Sequence, residues 1–333
     1  MSSDFEQRCR VLVEDIGICN ARDVTSVRRL KGGVASDIGV VSFGDQSVCA
    51  KFALYKLNVA EDWYAPLHRG HAEYAWLKIA GELAPGCTPK LFGWSQRENG
   101  FAMEYIHGEN VYLWKDALLQ GALENEVVTN VASALGKIHA ASTAPSFNSE
   151  YFNNADDFEA LRIDPYLRFT GMRHPELAGR LKRLADATYK CRIALVHGDV
   201  SPKNILVNSD KPIILDAECA TMGDPAFDVA FCLNHLVLKS LHLPESRSFL
   251  HGAVERFLAA YKASISWEPV PDFEERVSAL LPALMLARVD GKSPVEYLSD
   301  AECNRVRAIA IPIIHEPLNK ITQFLFHLKS ENA

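Results

Sequence analysis

The stretch Leu195–Glu218, LVHGDVSPKNILVNSDKPIILDAE, restricts what this chain can fold into more than any other part of it. Three short apolar runs, 193–196, 205–207 and 213–215, are rich in Ile, Val and Leu and are each followed by polar residues. The stretch therefore reads as strand, polar loop, strand, hairpin turn, strand and then a carboxylate. The loop carries His197, Asp199 and Asn204, and the last strand delivers Asp216 at its end. A carboxylate and an amide five residues apart can enter one cavity while the flanking strands fix their backbone. The second carboxylate arrives beside them. That cluster suits phosphoryl transfer. Asp199 would orient a hydroxyl and accept its proton, while Asn204 and Asp216 would hold Mg²⁺ on nucleotide phosphates. The reaction asks a protein chiefly for positioning and charge neutralisation, so few side chains suffice.

The rest of the chain supplies a setting for this stretch. With 333 residues, 48% of them hydrophobic, it has material for more than one core. Chains above ~250–300 residues usually divide, so two lobes are expected. The first third is β-rich. Ile38–Phe43 and Ser47–Leu54 are short runs with β-branched residues, joined by Gly44-Asp45-Gln46, and predict a hairpin. Ala72, Ala75, Trp76 and Ile79 recur at helical spacing and predict an amphipathic helix ending near Gly81. Leu91–Trp94 and Phe101–Ile106 read as two further strands. Past Gly108 the pattern turns helical, with Val127, Val128, Val131, Leu135 and Ile138 on one face of a helix over 124–141. Ser146–Arg183 is polar, aromatic and irregular, and from about Asp228 onward the chain is helical. The predicted boundary lies at Ile106-His107-Gly108. It separates a β-rich unit, 1–106, from a larger helical unit with a few short strands, 107–333, an α+β organisation.

His197-x-Asp199-x-x-x-x-Asn204, followed by Asp216, resembles the catalytic and metal-binding loops of the protein-kinase-like fold. Gly198, the Asp-Ala-Glu form of 216–218 and the run Gly223–Asp228 make it similar to the aminoglycoside phosphotransferase and choline kinase branch. The resemblance implies a small β-rich N-lobe, a larger mainly helical C-lobe, ATP and Mg²⁺ as cofactors, and a small-molecule alcohol as acceptor. It implies Asp199 as the catalytic carboxylate and Asn204 and Asp216 as metal ligands. It also asks for a strand lysine that reaches the phosphates, which Lys51 supplies, with Lys56 a weaker rival at the strand's end. A buried ammonium needs a carboxylate, and Glu73, 22 residues on (73 − 51), lies on the predicted helix. Gly32, Gly33 and Ser36 lie in the turn expected to cover the phosphates. Met103, Glu104 and Ile106 match the interlobe hinge that pairs with adenine. His139 reads as a packed helix-end histidine, and Glu218 is left between metal, substrate and structure.

Two other readings compete with this one. A protein kinase would carry His-Arg-Asp, Asp-Phe-Gly and a long activation segment, and this chain has none of them. A kinase-like protein without activity would lack the Asp, the Asn or the Lys, and all three are here. The acceptor is not legible, because Asp156, Asp157, Glu159 and Asp164 alternate with Arg162, Arg168 and Arg173 in the segment expected to bind it. A formal net charge of −7 argues against nucleic acid or an anionic membrane as the main partner. The eight cysteines form no Cys-x-x-Cys pair, so reduced buried thiols are expected rather than disulfides or zinc. The start is polar and the most apolar stretch, 277–289, is too short to span a bilayer, which predicts a cytoplasmic protein.

Overall fold

The computed structural model describes residues 4–30, 36–55, 66–122 and 124–330. Its first unit is an antiparallel sheet of β1 (Val24–Arg29), β2 (Ser36–Phe43), β3 (Gln46–Ala53), β4 (Leu91–Ser95) and β5 (Gly100–Glu104), in the order β1-β2-β3-β5-β4. β2 and β3 are the expected hairpin, paired from Ser36 with Ala53 to Phe43 with Gln46. The chain reverses at Gly44-Asp45, where Gly44 takes φ +52°, the left-handed conformation that tight hairpin turns require.

Both faces of this sheet are covered. Helix α1 (Asp4–Asp15) lays Phe5, Cys9, Leu12 and Val13 against Val41, Val48, Ala50 and Phe52 to form a small core of its own. Neither α1 nor β1 was expected. Four apolar residues in an acidic opening segment are a short signal, yet their spacing is helical.

Helix α2 (Arg69–Leu83) covers the other face. It runs past Gly81, its expected end. A Cβ on Gly81 would lie 2.7 Å from Thr88 Oγ1, so this glycine serves a close approach rather than a helix stop. Beside the predicted stripe, α2 also buries Glu73, Leu77 and Ala80. It packs on the sheet and on the second unit together.

Ile106–Gly108 leads into the helical unit. β6 (Val111–Leu113), α3 (Trp114–Leu119) and α4 (Asn125–Ser142) come first. The segment expected to be irregular is instead mostly helical: α5 (Ala155–Phe158), a π-helical stretch Glu159–Arg168, α6 (Phe169–Arg173) and α7 (Ala178–Lys190). Pro165 inside the π stretch removes a backbone donor, and the wider turn there breaks the 3.6-residue period that sequence reading relies on. The informative stretch then forms β7 (Ala194–Val196), β8 (Ile205–Asn208), β9 (Lys211–Ile214) and β10 (Thr221–Gly223), in small sheets β10-β7 and β6-β8-β9.

α8 (Pro225–His242) follows, with Asp224 accepting from the Ala226 N–H at its start and every residue from Pro225 to Leu241 buried. α9 (Arg247–Lys262), α10 (Val270–Asp290), α11 (Asp300–His315) and α12 (Ile321–Ser330) complete the unit. All eight cysteines are free thiols. No helix among the described residues is long and apolar enough to cross a membrane.

Candidate active site

Lys51 sits mid-strand in β3, between Ile38 on β2 and Phe101 on β5. It is 6% exposed, and a cation so placed demands compensation. Its Nζ donates to Glu73 Oε1 at 2.6 Å and to Asp216 Oδ1 at 2.5 Å. One ammonium thereby ties the sheet, α2 and the end of β9 together. Burial alone would lower the Lys51 pKa, but Asp216 and Glu73 outweigh it and hold the lysine above its ordinary value. Burial likewise opposes ionisation of Asp216, yet Lys51 keeps that carboxyl well below the usual range. Asp216 takes φ +68°, a left-handed conformation that is costly for a residue with a Cβ. The strain turns the chain at the end of β9 and aims the carboxylate back at Lys51.

The loop between β7 and β8 is braced from beneath. The N–H groups of His197 and Gly198 donate to the two oxygens of Asp228, at 2.7 and 2.8 Å, in the first turn of α8. His197 Nδ1 accepts from the Asp199 N–H at 3.1 Å, so its proton sits on Nε2 and is donated to the Leu215 carbonyl at 3.0 Å. Burial lowers the His197 pKa, which keeps the ring neutral in this strut. Gly198 has φ +81°, and an added Cβ would stand 2.8 Å from that of Cys219. Only glycine fits this position without displacing backbone. Asn204 Nδ2 donates to the Asp199 carbonyl at 3.0 Å, closing the loop on itself.

Asp199 is 3% exposed. Its Oδ2 accepts from Arg162 Nη2 at 2.9 Å and lies 3.2 Å from Lys203 Nζ. Burial would raise this carboxyl, but Lys203 and then Arg162 hold it below the usual carboxylate range. Arg162 also donates Nε to the Gly198 carbonyl at 2.7 Å and Nη1 to the Leu161 carbonyl. Both cations act on Oδ2, and among the described residues no donor occupies Oδ1.

Lys51, Glu73, Asp216, Asp199 and Asn204 come together through the contacts above. Ser36 is buried on β2 opposite Ala53, and Met103 is buried on β5 opposite Cys49 and Leu91. The Glu104 N–H is taken by the Lys90 carbonyl at 2.8 Å. Gly32, Gly33 and Lys56 lie outside the described residues.

Glu218, whose role was open, pairs with Arg69 Nε at 2.9 Å and joins α2 to the segment after β9. Arg69 is fully buried and also donates to the carbonyls of Pro66 and Leu54. His139 is packed between Tyr261 and Asp228, with ring nitrogens 2.7 and 3.3 Å from their oxygens. Arg162 was not singled out beforehand. Nothing in its spacing announces it, because a π-helical stretch delivers it. Lys203 stood inside the informative loop and carried a signal that could have been read.

Among the described residues no group of three or more His, Cys, Asp and Glu side chains is arranged to hold a metal. Asn204 and Asp216 offer an amide and a carboxylate oxygen, hard ligands that suit Mg²⁺ once phosphate oxygens complete the shell.

The family described as "Phosphotransferase enzyme family" matches residues 54–263. The N-acetylmuramate/N-acetylglucosamine kinase of Pseudomonas aeruginosa is 28% identical over 216 residues, 61% of this chain and 60% of that protein. The chain thus spans about three-fifths of the length of that curated relative. Among solved structures, a choline/ethanolamine kinase family protein from Mesorhizobium loti is 17% identical, with a TM-score of 0.57, covering 98% of this chain and 99% of its own. An amicoumacin kinase in complex with AMP-PNP, Ca²⁺ and Ami is 13% identical, with a TM-score of 0.61, covering 96% and 98%. At these identities the structural likenesses speak for the fold, which is protein-kinase-like.

Proposed function

This chain belongs to the phosphotransferase enzyme family, and we propose that it moves the γ-phosphate of ATP to a hydroxyl of a small molecule, Asp199 orienting that hydroxyl and taking its proton. The observation that carries this reading is the Lys51 ammonium held between Glu73 and Asp216, with Asp216 at the end of the strand that His197 straps to the Asp199 loop. Lys51 would contact the nucleotide phosphates, and Glu73 would fix the position of that lysine. Asn204 and Asp216 would hold Mg²⁺, whose charge offsets that of the phosphates when bound. The turn with Gly32, Gly33 and Ser36 would cover the phosphates, and Met103, the Glu104 carbonyl and the Ile106 amide would receive the adenine. Asp199 Oδ1 would accept from the acceptor hydroxyl while Arg162 and Lys203 keep the carboxylate ionised and fixed in direction. The kinase named for N-acetylmuramate and N-acetylglucosamine supports a small hydroxyl-bearing acceptor.

A double-variant cycle tests the nucleotide half of this reading. Lys51→Met and Glu73→Gln should each lower kcat/KM for ATP by on the order of 10–100-fold, the scale of one buried charge-assisted bond. The double variant should lose less than the product of the two, because the residues act as a unit. Losses that multiply in full would separate the pair and pass the phosphate-binding role to Lys56.

A further inference from the structure

Next to the Asp199 loop, α8 and α10 enclose basic side chains with which no carboxylate among the described residues forms an ion pair. His235 and Lys239 stand one turn apart on α8, at 6% and 1% exposure, and Arg288 faces them from α10. Lys239 Nζ lies 5.0 Å from the Tyr297 ring, and among the described residues no carboxylate pairs with it. Arg288 Nη1 donates to Tyr166 Oη at 3.1 Å and to Ser293, but among the described residues no group accepts from its buried Nε. Among the same residues the buried Tyr297 hydroxyl has no hydrogen-bond partner.

The carboxylates close by are already engaged. Glu296 is held by Lys115, and Asp290 by His174 and Arg307. Buried donors left this way are costly unless something pairs with them. Burial, Lys115 and Arg288 push the Lys239 pKa down to about 7, so an approaching anion would restore the charge that burial removes.

This cluster adjoins the reacting carboxylate. Tyr166, bound to Arg288, lies four residues after Arg162 in the π-helical stretch, and Arg162 is bound to Asp199. His235 feels Lys203 of the catalytic loop as well as Arg288 and Lys239.

We propose that the acceptor is an alcohol carrying an anionic group, a carboxylate or a phosphate monoester, held by Lys239, Arg288 and Tyr297 while its hydroxyl lies at Asp199. The inference rests on the phosphotransferase reading above and adds the charge of the substrate to it. The test is calorimetric titration of the full chain, its nucleotide site filled with AMP-PNP and Mg²⁺, against matched alcohols. These are glycerol, glycerate and glycerol phosphate, glucose, gluconate and glucose phosphate, and choline as the cationic member. At least one acid should bind about tenfold or more tighter than its neutral counterpart, the scale of one charge-assisted bond, and the carboxylate and phosphate arms tell the two sources apart.

Lys239→Met and Arg288→Gln should each abolish that preference while leaving AMP-PNP affinity nearly unchanged, and Lys239→Met should also leave the unfolding midpoint nearly unchanged. The methionine fills the volume of the buried lysine, so it keeps the protein foldable if the Arg288 variant fails. Acids that bind no better than neutral alcohols, choline preferred over all, or acid binding that survives both substitutions would overturn the proposal. The phosphotransferase reading is scored separately, by slow ATP hydrolysis that requires Asp199. Hydrolysis with no preference for acids sinks only the charge assignment.

Discussion

Asp199→Asn is expected to leave a folded chain that binds ATP·Mg but turns over about 10²–10⁴-fold more slowly, the usual effect of removing a positioned proton acceptor. The carboxylate stands where four separate elements of the loop's bracing meet. Arg162 and Lys203 lie on Oδ2, Asn204 holds the residue's carbonyl and His197 its N–H. An asparagine must keep its oxygen towards those two cations, which turns its NH₂ to the side where the acceptor hydroxyl needs an acceptor atom. The polarity is then wrong even though the shape is right. Folding survives because Arg162 keeps the Gly198 and Leu161 carbonyls. Nucleotide affinity survives because Lys51, Glu73 and Asp216 are untouched. Steady-state turnover beside an ATP·Mg titration checks both halves, and retention of more than about a tenth of the parental rate would remove Asp199 from the catalytic role.

Asp216→Ala and Glu218→Gln should separate a metal ligand from a strut only two residues away. Loss of the Asp216 carboxylate should weaken ATP·Mg binding by about a hundredfold or more, as expected when a charged ligand is lost from a partly dry site. Lys51 stays neutralised by Glu73, so the fold should hold. Glutamine at 218 keeps an oxygen within reach of Arg69 Nε and should change nucleotide affinity by less than about tenfold, since the lost charge is Arg69's partner rather than a phosphate's. Its effect should instead appear as lower stability, of about 1–3 kcal/mol, because Arg69 is fully buried. Titrating nucleotide with and without Mg²⁺, next to thermal unfolding, reads the two outcomes apart. Parental ATP·Mg affinity in Asp216→Ala would mean that the metal ligands lie elsewhere.

What could be read beforehand, and what could not, follows from how far apart in sequence the contacting residues lie. Asp199, Asn204 and Asp216 belong to one run in which strands and loop fix each other, so their grouping was visible in the chain itself. Lys51 and Glu73 were legible because a mid-strand lysine needs a carboxylate and the next helix offered one. Arg162 was not, since its contact with Asp199 spans 37 residues and depends on a π-helical stretch without regular apolar spacing. Arg69 and Glu218 are 149 residues apart, and no periodicity links them. The cations around Lys239 escaped notice for a related reason. In α8, where every face is buried, a lysine stands among apolar residues and its charge has no pattern to stand out from.

The most direct measurement is transfer of label. ATP carrying a labelled γ-phosphate is incubated with Mg²⁺, the full chain and a panel of small alcohols spanning neutral, cationic and anionic members. The products are then separated and the label located. The account predicts label on the hydroxyl of one class of alcohol at a rate well above release to water, and none on that alcohol with Asp199→Asn. Label that appears only as inorganic phosphate with every alcohol, or that reaches the alcohol equally well without the Asp199 carboxylate, would contradict it.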